Sequence, residues 1–469
     1  MTRVLIIGDS PKFYGGVTNY TRPLAENLSK KCDVYYLFNS TRTHNNSFFK
    51  KTGIYSIYEN EYSFKCFQLI NGKSVYKNYN NLSNDYSEWL DSIFIEFIDK
   101  INPNTIHINE FFGFSTNIFK YIKRRGIKLI VSVHEYWWLC PHRVMVDFNN
   151  KICAGPEDIN KCTFCVSKVK SKNSAEKELF NQKIKFDFPD LFSFLHKLKN
   201  RKSPQLDFEN LNFGSFSYKE YSNIELNKSL NLRLKNLIDA LNLCDLVIGV
   251  SSDVKSHLVK FGVEVNKIMI QHIGSTIAEQ NNLHTKKVNE NDIVFGFIGG
   301  VGYYKGVHQM VEAFTKLPEN LKRKSRLLIY GKYNDSYFNS INRDYINSEL
   351  DEKRVKFFGK FTPKDLPEIT NKLDINILPS LCADTAPQTI FESYSNGLPI
   401  IAPNVGGFPD FIKDGINGLI YEKASVEGLK LSMIKIIENP ELISEFMTNI
   451  PKSKTMNENI EELINLYEN

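Results

Sequence analysis

The stretch Leu378–Pro409, LPSLCADTAPQTIFESYSNGLPIIAPNVGGFP, decides the fold of this 469-residue chain. An apolar run ending at Leu378 reads as a strand, and a polar loop follows it. A helix opens near Pro387, whose missing N–H is not needed in a first helical turn. Asn396-Gly397 closes that helix, since glycine suits the position just past a helix end, and the apolar run Leu398–Ala402 forms the next strand. Alternation of this kind builds a parallel, doubly wound sheet. Two carboxylates mark the segment: Asp384 in the loop and Glu392 about two turns inside the helix. The free backbone N–H groups between them face a common space that suits an anion. Carboxylates do not hold phosphate, so the acids point to sugar hydroxyls beside one, as a nucleotide sugar would present. A buried crossover that happens to carry two acids is the plainer reading of either acid taken alone.

Working outward, the length suggests two domains of about 200 residues each. The composition, 42% apolar and 24% charged, is that of a soluble globular protein. No stretch approaches the ~20 apolar residues of a membrane span. The start, MTRVLIIGDS, reads as a strand and not as a secretory leader, which leads to the expectation of a cytoplasmic protein. The net charge of +6 permits contact with an anionic membrane surface or a phosphorylated acceptor and does not argue for nucleic acid.

Val4–Ile7, the loop through Gly15-Gly16, a helical pattern to Leu28 and Val34–Phe38 form a strand–loop–helix–strand opening. The loop lacks G-x-G-x-x-G, so a dinucleotide is not indicated. Gly16 suits either close approach of the backbone to a phosphate or a plain tight turn. Thr105–Asn109 and Leu129–Val133 are further strands, ending in Asn109-Glu110 and His134-Glu135, and ligands of open parallel sheets bind at such strand ends. Residues 166–235 have no steady period. Their Phe and Lys residues fit an elaborated helical insert of the first domain or an interfacial membrane contact. Thr276–Asn291 reads as a linker. A second series of strands follows: Ile293–Ile298, Arg326–Tyr330, Val355–Phe358, Ile375–Leu378 and Leu398–Ala402.

The segment from Asp384 onward resembles the donor-site signature of retaining glycosyltransferases of family four, also known as glycosyl transferases group 1. Their pattern is an acid, seven residues, a Glu, then G-x-P-V-I and G-G-x-P-E. Here it reads Asp384, Glu392, Gly397-Leu398-Pro399-Ile400-Ile401 and Gly406-Gly407-Phe408-Pro409-Asp410, with Asp at the first and last acidic positions. The loop Gly299–Gly306 resembles the family's G-R-x-x-x-x-K-G phosphate loop, with Gly300 in place of the Arg. His134-Glu135-Tyr136-Trp137-Trp138 resembles its T-x-H-D-Y/F-W signature.

The resemblance implies an α/β GT-B fold, two Rossmann-like doubly wound domains facing a central cleft. Residues 1–275 would form the acceptor-side domain, 276–291 the linker and 292–445 the donor domain, with a helical segment over 446–469 crossing back. By the same resemblance Lys305 meets the donor diphosphate, as do backbone N–H groups of Gln388 and Thr389 and the loop at Gly16. Glu392 meets the ribose, Asp384 a donor-sugar hydroxyl, and His134 positions sugar or acceptor groups. Phe361 packs against the base or belongs to the core.

The implied reaction is transfer of a sugar, with retention, from a nucleotide-diphosphate donor to a carbohydrate or lipid-linked acceptor in cell-surface polysaccharide or lipopolysaccharide synthesis. It would take place in the cytoplasm or at the inner face of the membrane. No two Asp residues stand two apart, so the Asp-x-Asp motif of metal-chelating transferases is missing and no catalytic cofactor is expected. The alternatives are a sugar-nucleotide epimerase on the same fold and a non-catalytic nucleotide-sugar-binding partner of another transferase. Four of the eight cysteines, Cys140, Cys153, Cys162 and Cys165, lie close together and end in C-x2-C. They suggest a structural zinc site or free loop thiols.

Overall fold

The computed structural model describes residues 1–13, 15–39, 46–72, 88–167, 172–193, 222–280 and 288–468. The chain divides into two compact units. The first comprises Met1–Val250, Val254–Gln271 and Asn459–Asn469, and the second Ser251–Asp253 and His272–Glu458.

Among its described residues the first unit has eight strands: β1 (Arg3–Gly8), β2 (Asp33–Asn39), β3 (Gly53–Ser56), β4 (Lys65–Ile70), β5 (Thr105–Ile108), β6 (Lys128–Val133), β7 (Leu246–Gly249) and β8 (Ile268–Ile270). They lie in the order β3-β4-β2-β1-β5-β6-β7-β8. All neighbours are parallel except β3, which runs antiparallel to β4 at the edge. Val4, Leu5, Ile6 and Ile7 of β1 are fully buried, as expected of a central strand covered on both faces. Helices Gly16–Leu28, Glu88–Ile101, Ile118–Arg124 and Ile224–Leu243 are among the connections.

The last helix, Met456–Glu468, passes into the first unit from Asn459 on. There Tyr20 Oη donates to Asn459 Oδ1 at 2.7 Å, and the Tyr467 hydroxyl lies 2.7 Å from Nδ1 of the buried His107.

The second unit has six strands, all parallel, in the order β11-β10-β9-β12-β13-β14. They are β9 (Ile293–Ile298), β10 (Ser325–Tyr330), β11 (Val355–Gly359), β12 (Ile375–Ile377), β13 (Ile400–Pro403) and β14 (Gly418–Tyr421). β9 is buried along its whole length and carries Phe295 and Phe297 into the core with Met310, Phe314 and Met433. Of the stretch read as a linker, Ile277–Gln280 form a 3₁₀ turn packed on the helix Gln388–Ser395, and 281–287 lie outside the described residues. Of the irregular stretch 166–235, the structure describes the helix Lys172–Asp187 and the start of Ile224–Leu243, while 168–171 and 194–221 lie outside the described residues.

Candidate functional site

In the second unit three loops meet at the C-terminal ends of β9, β12 and β13. The loop after β9 ends in a 3₁₀ turn, Tyr303–Lys305, and Gly306 behind it is left-handed with φ 69°. A Cβ at Gly306 would stand 1.8 Å from Pro379 O, so only glycine lets this loop cross the one after β12. Leu381 N donates to Tyr304 O at 2.8 Å and fastens the two together. On the other side Gly406, φ 57°, would place a Cβ 2.3 Å from Asp384 O.

This packing brings the Lys305 ammonium to 2.9 and 3.1 Å from the two Asp384 carboxylate oxygens. Ser380 Oγ donates to the same carboxylate at 2.9 Å. Burial works against the ammonium, and the Asp384 charge beside it outweighs that and holds the Lys305 pKa above its ordinary value. The pair borders a pocket lined also by Phe297, Gly299, Gly300 and Thr389. A side chain built at Gly300 would meet nothing within 4 Å, so the site has room for the cation that Gly300 does not supply.

The helix Gln388–Ser395 starts beside this pocket, with Pro387 as its N-cap residue. Glu392 is the fifth residue of this helix and so only about one turn inside, not two as the sequence suggested; Pro387 stands before the helix and not within its first turn. Glu392 shares a helix face with Thr389, three residues earlier. Its carboxyl is partly buried, and burial raises its pKa. Among the described residues, no hydrogen bond or ion pair reaches that carboxylate. Gln388 and Thr389 occupy the first two helical positions, where backbone N–H groups have no intrahelical acceptor. The helix closes as its sequence indicates: Gly397 is left-handed, φ 63°, and its N–H donates to Tyr394 O.

The structure thus gathers Lys305, Asp384 and Thr389 around one pocket, with Gln388 and Glu392 on the same short helix. Phe361 lies apart, packed against the core cluster of Val294, Ile298, Leu328 and Leu366. Sequence reading missed Ser380, whose only signal was a hydroxyl four residues before Asp384.

His134 and Gly16 belong to the first unit. His134 follows β6, its Nε2 lies 2.8 Å from Asn109 Oδ1, and its ring centroid is 5.0 Å from that of Tyr20. Burial pushes its pKa down to about 3, so the imidazole is neutral at physiological pH. Beside it Arg143 donates from Nε to Glu135 at 2.7 Å and lies 3.8 Å from Glu110. Gly16 opens its helix in an exposed position where a Cβ would meet nothing within 4 Å, so no packing demands glycine there.

Cys140, Cys153, Cys162 and Cys165 line one pocket with His142, whose Nε2 is 3.8 Å from Cys165 Sγ. Among the described residues, no three His, Cys, Asp or Glu side chains converge as a metal site requires. The four thiols share this pocket, and none of them is in a disulfide.

Residues 279–453 match the family described as Glycosyl transferases group 1. The match covers the second unit, with the loops of Lys305 and Asp384 and the Glu392 helix inside it. Among curated relatives, an uncharacterised glycosyltransferase of Methanocaldococcus jannaschii is 28% identical over 203 residues, 42% of this chain and 50% of the relative. The UDP-Gal:alpha-D-GlcNAc-diphosphoundecaprenol alpha-1,3-galactosyltransferase of Escherichia coli is 26% identical over 153 residues, 32% of this chain and 38% of the relative. The chain spans half or less of the length of these curated relatives. Among solved structures, HepE of Anabaena in complex with UDP aligns over 99% of this chain and 100% of its own, with a TM-score of 0.61 at 13% identity. At that identity the likeness is one of fold: two parallel-sheet α/β units of the GT-B glycosyltransferase type.

Proposed function

We propose that this protein is a retaining glycosyltransferase of family four, moving a sugar from a nucleotide-diphosphate donor to a carbohydrate or lipid-linked acceptor. The observation that carries the reading is the Lys305–Asp384 pair at a pocket beside the start of the helix that bears Glu392. Lys305 and the N–H groups of Gln388 and Thr389 meet the diphosphate, because a cation and a helix N-terminus both stabilise phosphate charge. Glu392 takes the ribose hydroxyls. Asp384 takes a hydroxyl of the donor sugar while steering Lys305, and Gly16 leaves its loop open to the donor phosphates.

In the reaction the bond from the sugar C1 to the phosphate oxygen breaks, and a bond from C1 to the acceptor oxygen forms on the same face. The acceptor proton passes to the departing phosphate, and negative charge collects on the diphosphate beside Lys305. His134, neutral and held by Asn109, positions hydroxyls and is not the base. The leaving group is neutralised by these residues without a divalent ion.

The E. coli relative named for a diphosphoundecaprenol-linked substrate supports a lipid-linked acceptor and a place in polysaccharide or lipopolysaccharide synthesis at the inner face of the membrane. Among the described residues no helix is long and apolar enough to cross a membrane. A second reading, a non-catalytic partner that only binds nucleotide sugars, is favoured by the empty place at Gly300 and by Asp384 neutralising Lys305.

The test is thermal stabilisation by UDP-, GDP-, dTDP- and ADP-sugars in EDTA, followed by NMR of any product to read its anomeric configuration. Stabilisation by one nucleotide and a product of unchanged configuration are expected, since a ligand that prefers the folded state raises its stability. Binding without transfer or hydrolysis across a broad acceptor panel selects the second reading. An inverted product refutes retention.

A further inference from the structure

The first unit carries a surface that neither its core nor the donor chemistry explains. Residues 46–51 form a loop bound to the helix Lys172–Asp187. Asn46 Nδ2 donates to Gln182 Oε1 at 2.8 Å, and both residues are buried. Ser47 Oγ and Phe48 N donate to the two Asp187 carboxylate oxygens at 2.8 and 2.6 Å. From below, Asn71 Nδ2 donates to the carbonyls of Ser47 and Lys50 at 2.8 and 2.7 Å. A loop held at both ends by side-chain bonds, the Asn46–Gln182 bond among them buried, is a built feature, since a buried polar bond is costly to leave unmade.

What this scaffold presents is apolar. Phe49 is 77% exposed and Phe180 55%, and Phe48, Phe186, Phe188 and Leu191 are each at least 40% exposed. The rings touch across the loop–helix junction: Phe48 meets Phe180 edge-on at 5.5 Å and Phe49 meets Phe188 at 6.0 Å. Single exposed apolar residues need no explanation, whereas a contiguous set marks a contact surface.

The charges among these rings decide what that contact is. Lys183 Nζ stands 5.4 Å from the Phe48 ring and Lys50 Nζ 5.9 Å from the Phe186 ring. Lys51 and Lys185 add to them, and the Asp187 carboxylate accepts from the loop. Protein interface cores are depleted of lysine. Aromatic rings that enter the headgroup region, with ammonium groups among them, are the composition of an interfacial membrane contact.

The geometry points to this patch as a docking surface for a bilayer containing anionic lipid. It bears on the proposed function by bringing the enzyme to the surface that displays a lipid-linked acceptor. It is read without donor or acceptor, so its failure leaves the transferase reading standing.

The experiment is co-sedimentation of the full chain with vesicles of phosphatidylcholine, alone and with phosphatidylglycerol mixed in. Wild-type protein is expected on the mixed vesicles, more weakly on the neutral ones, and less as salt rises. The double variant Phe49→Ser/Phe188→Ser is expected to bind at least roughly tenfold more weakly, because full burial of one Phe alone is worth more than that factor. Lys50→Glu/Lys183→Glu should remove the preference for anionic vesicles. Both variants alter side chains that are exposed or half-exposed and should keep the wild-type melting temperature and nucleotide-sugar stabilisation. No vesicle binding by folded wild type overturns the inference, as does equal binding by the double Phe variant. Self-association that the Phe changes abolish would assign the patch to a second copy of the chain and overturn it as well.

Discussion

Replacing Lys305 by Met tests the donor site most directly, because its effect divides into two parts that a second change separates. The first part is the loss of a charged hydrogen-bond donor to the diphosphate, on the order of 1.5–3 kcal/mol. The second arises because Asp384 is then left facing the diphosphate with no cation between them. At about 6 Å and an effective dielectric constant of about 20, that repulsion approaches 3 kcal/mol. The Lys305 side chain is 46% exposed, so solvent and salt reduce the term to about 1 kcal/mol. Together they predict that Lys305→Met weakens nucleoside-diphosphate binding roughly a hundred- to a thousandfold.

Asp384→Asn should have the opposite sign for the free diphosphate, with affinity unchanged or up to about fivefold tighter, while preference for the sugar-bearing donor falls. The double variant should bind about fivefold more tightly than Lys305→Met alone, recovering the repulsion. The assay is calorimetric titration in EDTA with the nucleotide that stabilises the protein best, on variants whose melting shows them folded. Unchanged affinity in Lys305→Met refutes the placement of the diphosphate. A double variant no tighter than Lys305→Met refutes the electrostatic account of Asp384.

Three further outcomes follow from the same geometry. The folded-state pKa of Glu392 is raised by burial, so its charge costs stability once pH exceeds the ordinary carboxyl value of about 4.3. Glu392→Gln should therefore raise the melting temperature at neutral pH, lose that gain as pH falls through the carboxyl range, and weaken donor binding; equal melting at both pH values refutes the burial argument. The His134 pKa of about 3 predicts that NMR titration finds the imidazole neutral down to pH 5 and that activity shows no limb near 6.5 from this residue. Protonation near 6.5 would return it to the role of a conventional acid or base. Gly406→Ala places a Cβ 2.3 Å from Asp384 O in a left-handed backbone, which should cost about 1–3 kcal/mol in thermal or denaturant melts and move Asp384. Unaltered stability and donor affinity would show that the three loops are not tightly crossed.

Much of this was legible in the sequence where burial is complete on both faces of a strand. Val4–Ile7, Val34–Phe38 and Ile293–Ile298 are continuous apolar runs that lie in β1, β2 and β9, and Leu129–Val133 of β6 is interrupted only by Ser132. The strands that escaped notice are those whose pattern is mixed or short. β4 alternates Lys65, Cys66, Phe67 and Gln68, and buries Gln68 completely; β3 is an edge strand with no buried residue; β14 is a four-residue edge. Periodicity reports burial: β3 lacks it, β4 spends part of it on a polar side chain, and β14, though mostly buried, is too short to show a period.

The site shows the same division between local and long-range information. Gly397 ends its helix and Asp384 sits in its loop because those features depend on neighbours in the chain. The pairing of Lys305 with Asp384 spans 79 residues, and read one at a time the two were assigned to different parts of the donor. Paired, they give the site a nearly neutral centre, with the carboxylate of Glu392 one helical turn beyond Thr389. On the proposed reading Asp384 offsets part of the pull of Lys305 on a free diphosphate, so that the sugar and ribose hydroxyls add to the affinity for the donor. That is a selectivity an enzyme needs if it is to release a nucleotide product and take up a fresh donor. The aromatic patch is long-range in the same sense: Phe48 and Phe180 lie far apart in the chain, and the bonds from Asn46 to Gln182 and from Ser47 to Asp187 help bring them to one surface.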